Sequence, residues 1–109
     1  MVIQSKKVWI AGQFLDAQLE IRDGKIEAVY PYDSHPADKD YGEDRIVPGF
    51  IDVHTHGAYG YDTNDGTEEG LRDWMKRIPC EGVTSILPTT VTQMPDVLTA
   101  AVANVAKVV

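Results

Sequence analysis

Ile46-Val47-Pro48-Gly49-Phe50-Ile51-Asp52-Val53-His54-Thr55-His56-Gly57 decides how the rest of the chain is read. Phe50–His56 has the look of a short strand, entered through Pro48-Gly49 and left through a glycine-rich loop, Gly57-Ala58-Tyr59-Gly60-Tyr61-Asp62. Side chains alternate along a strand, so residues two apart share a face. That puts the imidazoles of His54 and His56 side by side, with Asp52 one step back on the same face. Two neutral imidazoles so spaced can share one divalent cation, each at about 2.0–2.1 Å from a zinc. Asp52 can orient an imidazole from behind. A bare His-X-His is more often a hydrogen-bonded pair than a ligand pair. Here, however, the polar face of an apolar strand carries only Asp and His. Burying three such groups without partners is costly, and a bound ion is the economical explanation.

Downstream, strand and helix alternate. Asp65 or Thr67 is placed to cap a helix whose Leu71, Trp74, Met75 and Ile78 recur at i, i+3, i+4 and i+7, one apolar face. Pro79 disfavours helical backbone at Ile78, and Gly82 offers a stop. Val83–Leu87 is a second apolar strand, followed by Pro88 and Thr89-Thr90. Pro95 suits the first turn of a last helix, with Val97, Leu98, Ala101, Val102 and Val105 on one face, still running at Val109. This order predicts parallel strands joined by crossover helices. Parallel sheets are buried on both faces, so two such strands need further neighbours.

Upstream, Val2-Ile3, Val8–Ile10 and Phe14–Ile21 predict strands. Asp23-Gly24 predicts a two-residue type I′ hairpin turn, in which both central residues need φ > 0. It would set Ile21 opposite Ile26, Leu19 opposite Ala28, Arg22 opposite Lys25 and Glu20 opposite Glu27. The like-charge pairs call for a solvated face. Pro31–Asp44 is acidic and carries proline and glycine, the expected seam between residues 1–47 and 48–109. His35, within it, reads as a solvated loop residue.

Ten Lys and Arg against seventeen Asp and Glu leave a net charge of −7. That argues against nucleic acid and anionic membrane as partners, since both select for a basic surface. Enough of the chain is apolar (43%) to exclude a disordered acidic tail. The single cysteine, Cys80, cannot form an intrachain disulfide, in keeping with a reducing compartment. No basic segment leads into an apolar run, and no run approaches the ~20 residues of a membrane helix, so cytoplasm is the expected location. A complete (β/α)₈ barrel takes roughly 200 residues or more and does not fit in 109.

Ile46–Gly57 resembles the opening motif of the amidohydrolase superfamily, and Asp23-Gly24-Lys25-Ile26 with its acidic connector is similar to that superfamily's N-terminal β-region. Gly57–Asp62, Glu81-Gly82-Val83-Thr84-Ser85 and Leu87-Pro88-Thr89-Thr90 resemble the N-acetylglucosamine-6-phosphate deacetylases within it. The resemblance covers essentially the whole chain. It implies an α/β fold: residues 1–47 as part of a small β-sandwich, and residues 48–109 as the first two βα units of a (β/α)₈ barrel, incomplete here. It implies a metal-dependent hydrolase, in which a metal-activated water attacks the N-acetyl amide of an amino-sugar phosphate and an aspartate carries the proton to the leaving amine. His54 and His56 would be metal ligands, with Asp52 behind them and zinc as the first expectation ahead of iron, manganese or cobalt. Some members lack the histidine pair and keep one metal elsewhere, so the pair would then build a second, weaker site. Implied partners are the small-molecule substrate and, for the full-length protein, a second copy in a homodimer.

No histidine follows His56. The family's remaining ligands and its catalytic aspartate therefore fall outside the chain, which reads as an N-terminal fragment expected to be inactive alone. Thr89 and Thr90, at a strand end, and Asp62, in the glycine loop, are candidates for the substrate pocket. Strand-end hydroxyls bonding backbone, and a solvated turn aspartate, are the bland readings of the same residues. Cys80 has no identifiable base partner. Two alternatives stay open: a cyclic-amide amidohydrolase of the dihydroorotase or hydantoinase kind, and a small β-rich module that is not an enzyme.

Overall fold

The computed structural model describes residues 1–109, which divide into two compact units, Met1–Pro48 and Gly49–Val109. In the first, β1 (Val2–Ile10), β2 (Gln13–Arg22) and β3 (Lys25–Pro31) form an antiparallel meander. Two short strands, β4 (Lys39–Asp40) and β5 (Arg45–Ile46), run parallel to the other edge of β1. Val8, Ala17 and Leu19 are the buried core, with Ile3, Ile10 and Ile46 against them. These strands make a single five-stranded sheet.

Asp23 (φ 50°) and Gly24 (φ 74°) both adopt the left-handed backbone of a type I′ turn. Arg22 pairs with Lys25 and Ile21 with Ile26 as expected, but the register then shifts. Leu19 faces Val29 and Glu20 faces Ala28, so the expected Leu19–Ala28 and Glu20–Glu27 pairs do not form. The bulge removes one like-charge pair and frees Glu20 to meet the Tyr30 hydroxyl (2.9 Å) and Arg22 (2.8 Å).

The acidic connector is no loose seam. Gln18 and Gln4, fully or nearly buried, bond each other (2.5 Å). Gln18 also donates to the His35 carbonyl (2.7 Å), and Gln4 donates to Asp40 (3.0 Å). Two buried carboxamides thus pin residues 31–44 to the sheet, which composition alone does not reveal. The His35 ring is exposed beside Tyr30, 4.2 Å between centroids.

In the second unit, β6 (Phe50–Thr55) pairs in parallel with β9 (Val83–Pro88). The crossover between them holds a hairpin, β7 (Gly57–Ala58) and β8 (Tyr61–Asp62), a 3₁₀ turn (Thr63–Asp65) and α1 (Glu68–Arg77). A second 3₁₀ turn (Ile78–Glu81) follows α1, and α2 (Pro95–Val108) closes the order. The glycine-rich loop is thus itself a hairpin, turned by Tyr59 (φ 57°) and Gly60 (φ 83°).

Tyr61, Leu71, Trp74 and Ile78 form the core, with Val83, Ile86, Val105 and Val108 packed on it. Met75 is 43% exposed and lies outside this core. On α2 the buried residues are Ala101 and Asn104, while Val102 is 60% exposed. Of the expected face, Val97, Leu98, Ala101 and Val105 are buried or half-buried and Val102 is not, and a polar residue, Asn104, takes a core position at its edge. Ile78 nevertheless keeps right-handed helical backbone (φ −59°, ψ −27°), and Pro79 stands at the start of the 3₁₀ turn that follows, where no N–H donor is needed. Gly82 (φ 83°) then ends the turn.

Phe50, Ile51, Val53 and Leu87 stand exposed on the parallel pair, as two strands without covering layers must leave them. No helix is long and apolar enough to cross a membrane.

Candidate metal site

β6 delivers the histidines. The His54 and His56 rings meet edge to face, with centroids 5.0 Å apart and planes at 89°. The His54 ring is exposed and that of His56 half-buried. His56 Nδ1 lies 2.9 Å from the main-chain oxygen of Thr89. A carbonyl can only accept, so Nδ1 carries the hydrogen, and in the neutral ring Nε2 keeps its lone pair. This is the arrangement that a metal-binding imidazole uses, with a main-chain acceptor behind the ring.

Asp52 works differently from the sequence expectation. Its Oδ1 accepts from the main-chain N–H of His54 at 3.1 Å, so the carboxylate shapes the strand and orients neither imidazole. An aspartate reaches the backbone two residues on more readily than a ring across the pleat. No group of three or more His, Cys, Asp or Glu side chains in the chain is arranged to hold a metal ion.

Thr89 is brought to the pair, but through its backbone. Its carbonyl receives His56, its N–H donates to the Thr55 carbonyl (2.8 Å), and its hydroxyl donates to the Leu87 carbonyl (3.0 Å). Thr90 instead lines a cavity against α2 with Thr63, Pro88, Val102 and Val105. Asp62 caps the 3₁₀ turn: its carboxylate accepts from the Asn64 N–H (2.8 Å), and Asp65 returns the bond to the Asp62 N–H (2.8 Å). It is thereby engaged as a cap through Oδ1. Thr67 stands at the N-cap of α1 with no side-chain bond to the helix.

Two residues of the site escape sequence reasoning. Thr63, fully buried, donates to the His56 carbonyl through both its N–H (2.7 Å) and its hydroxyl (2.9 Å). Asn64 spans to Val91, its carboxamide nitrogen donating to the carbonyl (3.0 Å) and its oxygen accepting from the N–H (3.3 Å). The run Asp62-Thr63-Asn64-Asp65 did carry a signal, four consecutive residues that hydrogen-bond local backbone.

Residues 45–108 match the family model described as "Amidohydrolase family". The chain is similar to N-acetylglucosamine-6-phosphate deacetylase of Bacillus subtilis (strain 168), 40% identical over 93 residues, which cover 77% of this chain and 22% of the relative. It is also similar to N-acetylgalactosamine-6-phosphate deacetylase of Escherichia coli O157:H7, 36% identical over 92 residues, covering 84% of this chain and 24% of the relative. In structure it is similar to N-acetyl-D-glucosamine-6-phosphate deacetylase from Mycobacterium smegmatis, with a TM-score of 0.88 and 26% identity, covering 98% of this chain and 31% of that one. The chain thus spans 22% to 24% of the length of these curated relatives.

Proposed function

The chain belongs to the amidohydrolase family, and on that premise we propose that the full-length protein hydrolyses the N-acetyl amide of N-acetylglucosamine 6-phosphate to glucosamine 6-phosphate and acetate. The observation that carries the reading is the imidazole pair, 5.0 Å between centroids, at the C-terminal end of a parallel strand. Sites of barrel and open α/β enzymes gather at that end of their strands. Similarity to deacetylases from separate organisms supports the substrate class. We read residues 49–109 as the opening βα units of a barrel and residues 1–48 as part of a flanking β-region.

His54 and His56 would hold a divalent cation, zinc being the first candidate. The donor set fits: one ring has its Nδ1 hydrogen committed to Thr89, and the other ring is exposed. When bound, such a cation supplies Lewis-acid polarisation and draws the pKa of water toward about 7. A catalytic zinc usually takes three protein ligands, so the remainder would come from residues beyond these 109. Within the chain, Thr89 orients the His56 ring, Thr63 holds the His56 backbone, and Asp52 sets the His54 backbone. The exposed Phe50, Ile51 and Val53 would be covered by further barrel elements. A cytoplasmic homodimer completes the reading.

The test is acetate release by the full-length protein from N-acetylglucosamine 6-phosphate, with dihydroorotate as the cyclic-amide control. Turnover of the sugar phosphate, with loss of bound metal in His54→Asn and His56→Asn, is expected. Turnover of dihydroorotate alone, or of neither compound, would overturn the proposal. The Escherichia coli relative favours a second substrate, the galactosamine epimer, and the same assay run on both sugars ranks them.

A further inference from the structure

We propose that Asn64 is a positioning residue that fixes the tautomer of His56, an inference that rests on the metal-site reading above. The argument is a closed ring of contacts. Thr63, buried and unable to turn to water, holds the His56 carbonyl with two hydrogen bonds. The next residue, Asn64, is oriented by the Asp62 carboxylate on its N–H and grips both backbone groups of Val91. Val91 stands two residues after Thr89, whose carbonyl accepts the hydrogen of His56 Nδ1. The ring runs from His56 backbone through Thr63, Asn64, Val91 and Thr89 to the His56 imidazole.

Residues 89–94 belong to no helix or strand. The Thr89 N–H is tied to Thr55, but beyond it the two bonds from Asn64 are what hold Val91. A carboxamide suits this task because it offers one donor and one acceptor in a plane, as a strand neighbour does. With Asn64 in place the Thr89 carbonyl stays on Nδ1, and Nε2 keeps the lone pair a cation needs. Once it is gone, Thr89 keeps only its N–H on Thr55 and its hydroxyl on Leu87, both on the preceding strands, and nothing beyond it resists a turn of the Thr89 carbonyl away from Nδ1. The hydrogen is then no longer confined to Nδ1, and the Nε2–H form, which presents a hydrogen to the cation, becomes populated.

The experiment uses full-length, metal-stripped protein with ¹⁵N-labelled histidine. Long-range nitrogen–proton correlation spectra report the tautomer of each ring. The wild type is expected to show His56 as a single Nδ1–H form. Asn64→Ala and the isosteric Asn64→Asp, which keeps the shape but loses the donor, are expected to divide His56 between both forms while His54 is unchanged. Zinc titration of the same samples is expected to weaken about 10- to 100-fold, the usual cost of losing a group behind a ligand. Arg72→Ala, on the exposed side of α1, should alter neither reading.

A single Nδ1–H form persisting in both Asn64 variants overturns the proposal, since a residue that merely staples the loop would leave the tautomer alone. Failure of the metal reading looks different: His54→Asn and His56→Asn would then bind zinc as the wild type does, while the tautomer spectra still decide the role of Asn64.

Discussion

Gly49 and Thr84 meet side by side where β6 and β9 begin, and a Cβ built on Gly49 would come to 2.7 Å from the Thr84 Cβ. A rotamer change cannot relieve contact with a Cβ, so one strand has to move. Gly49→Ala is expected to destabilise by about 1–3 kcal/mol, the range for overpacking. Gly60→Ala separates packing from backbone strain. Gly60 has φ 83° and open space around its Cα, so only the conformational cost of an L residue in left-handed backbone applies, about 1 kcal/mol at its low end. Denaturant midpoints of the two variants check the order. Equal losses would mean that the Gly49–Thr84 contact is slack.

Asp62 is a structural cap. Asp62→Ala removes the acceptor of the Asn64 N–H and is expected to cost about 0.5–2 kcal/mol, as lost caps do. Asp62→Asn keeps an acceptor oxygen and is expected to recover most of that. Thermal unfolding measures both. A variant of wild-type stability whose KM for substrate rises tenfold would instead return Asp62 to the substrate pocket.

Three buried polar atoms in the second unit lack hydrogen-bond partners: the Tyr61 hydroxyl, the Trp74 indole nitrogen and the Asn104 amide nitrogen. Burial pushes the Tyr61 pKa up. A buried donor without a partner carries its desolvation cost uncompensated. Asn104→Leu is therefore expected to leave stability unchanged or raise it by up to about 1 kcal/mol. A loss of more than about 1 kcal/mol in chemical denaturation would show that a bridging water satisfies the amide.

Acid should loosen the first unit through Asp40. The Gly42 N–H (2.8 Å), the Gln4 carboxamide (3.0 Å) and the Tyr32 hydroxyl (2.7 Å) all donate to it and hold its carboxyl below the usual carboxylate range. A folded pKa below the unfolded one stabilises above the unfolded value, and that stabilisation is lost as pH falls through the folded value. Asp40→Asn is expected to melt lower at neutral pH, with the gap to wild type narrowing below about pH 4. A gap that stays constant down to acid would remove Asp40 from the account.

The meeting of the His54 and His56 rings was legible because strand periodicity is local. The Asp23-Gly24 turn was legible for the same reason. The bulge between Glu20 and Ile21 was not, since pairing between Glu20 and Ala28 depends on what Glu20 finds across the sheet. Nor were Thr63 and Asn64, whose partners lie 7 and 27 residues away and are backbone groups with no residue signature. Val102 and Met75 were misread because apolar spacing defines an arc of a helix without saying which edge of the arc its neighbours cover.

β1 sits in the middle of its sheet, and the partners on its far side, Lys39 and Arg45, come 36 and 38 residues after Ile3 and Lys7. Contacts so distant along the chain close slowly. A ribosome pausing before codon 39 would leave one margin of β1 bare beside a finished meander, a state that recruits stray strands from other nascent chains. Completion of that margin therefore waits on the whole of residues 31–44 to arrive and be gripped by Gln4 and Gln18.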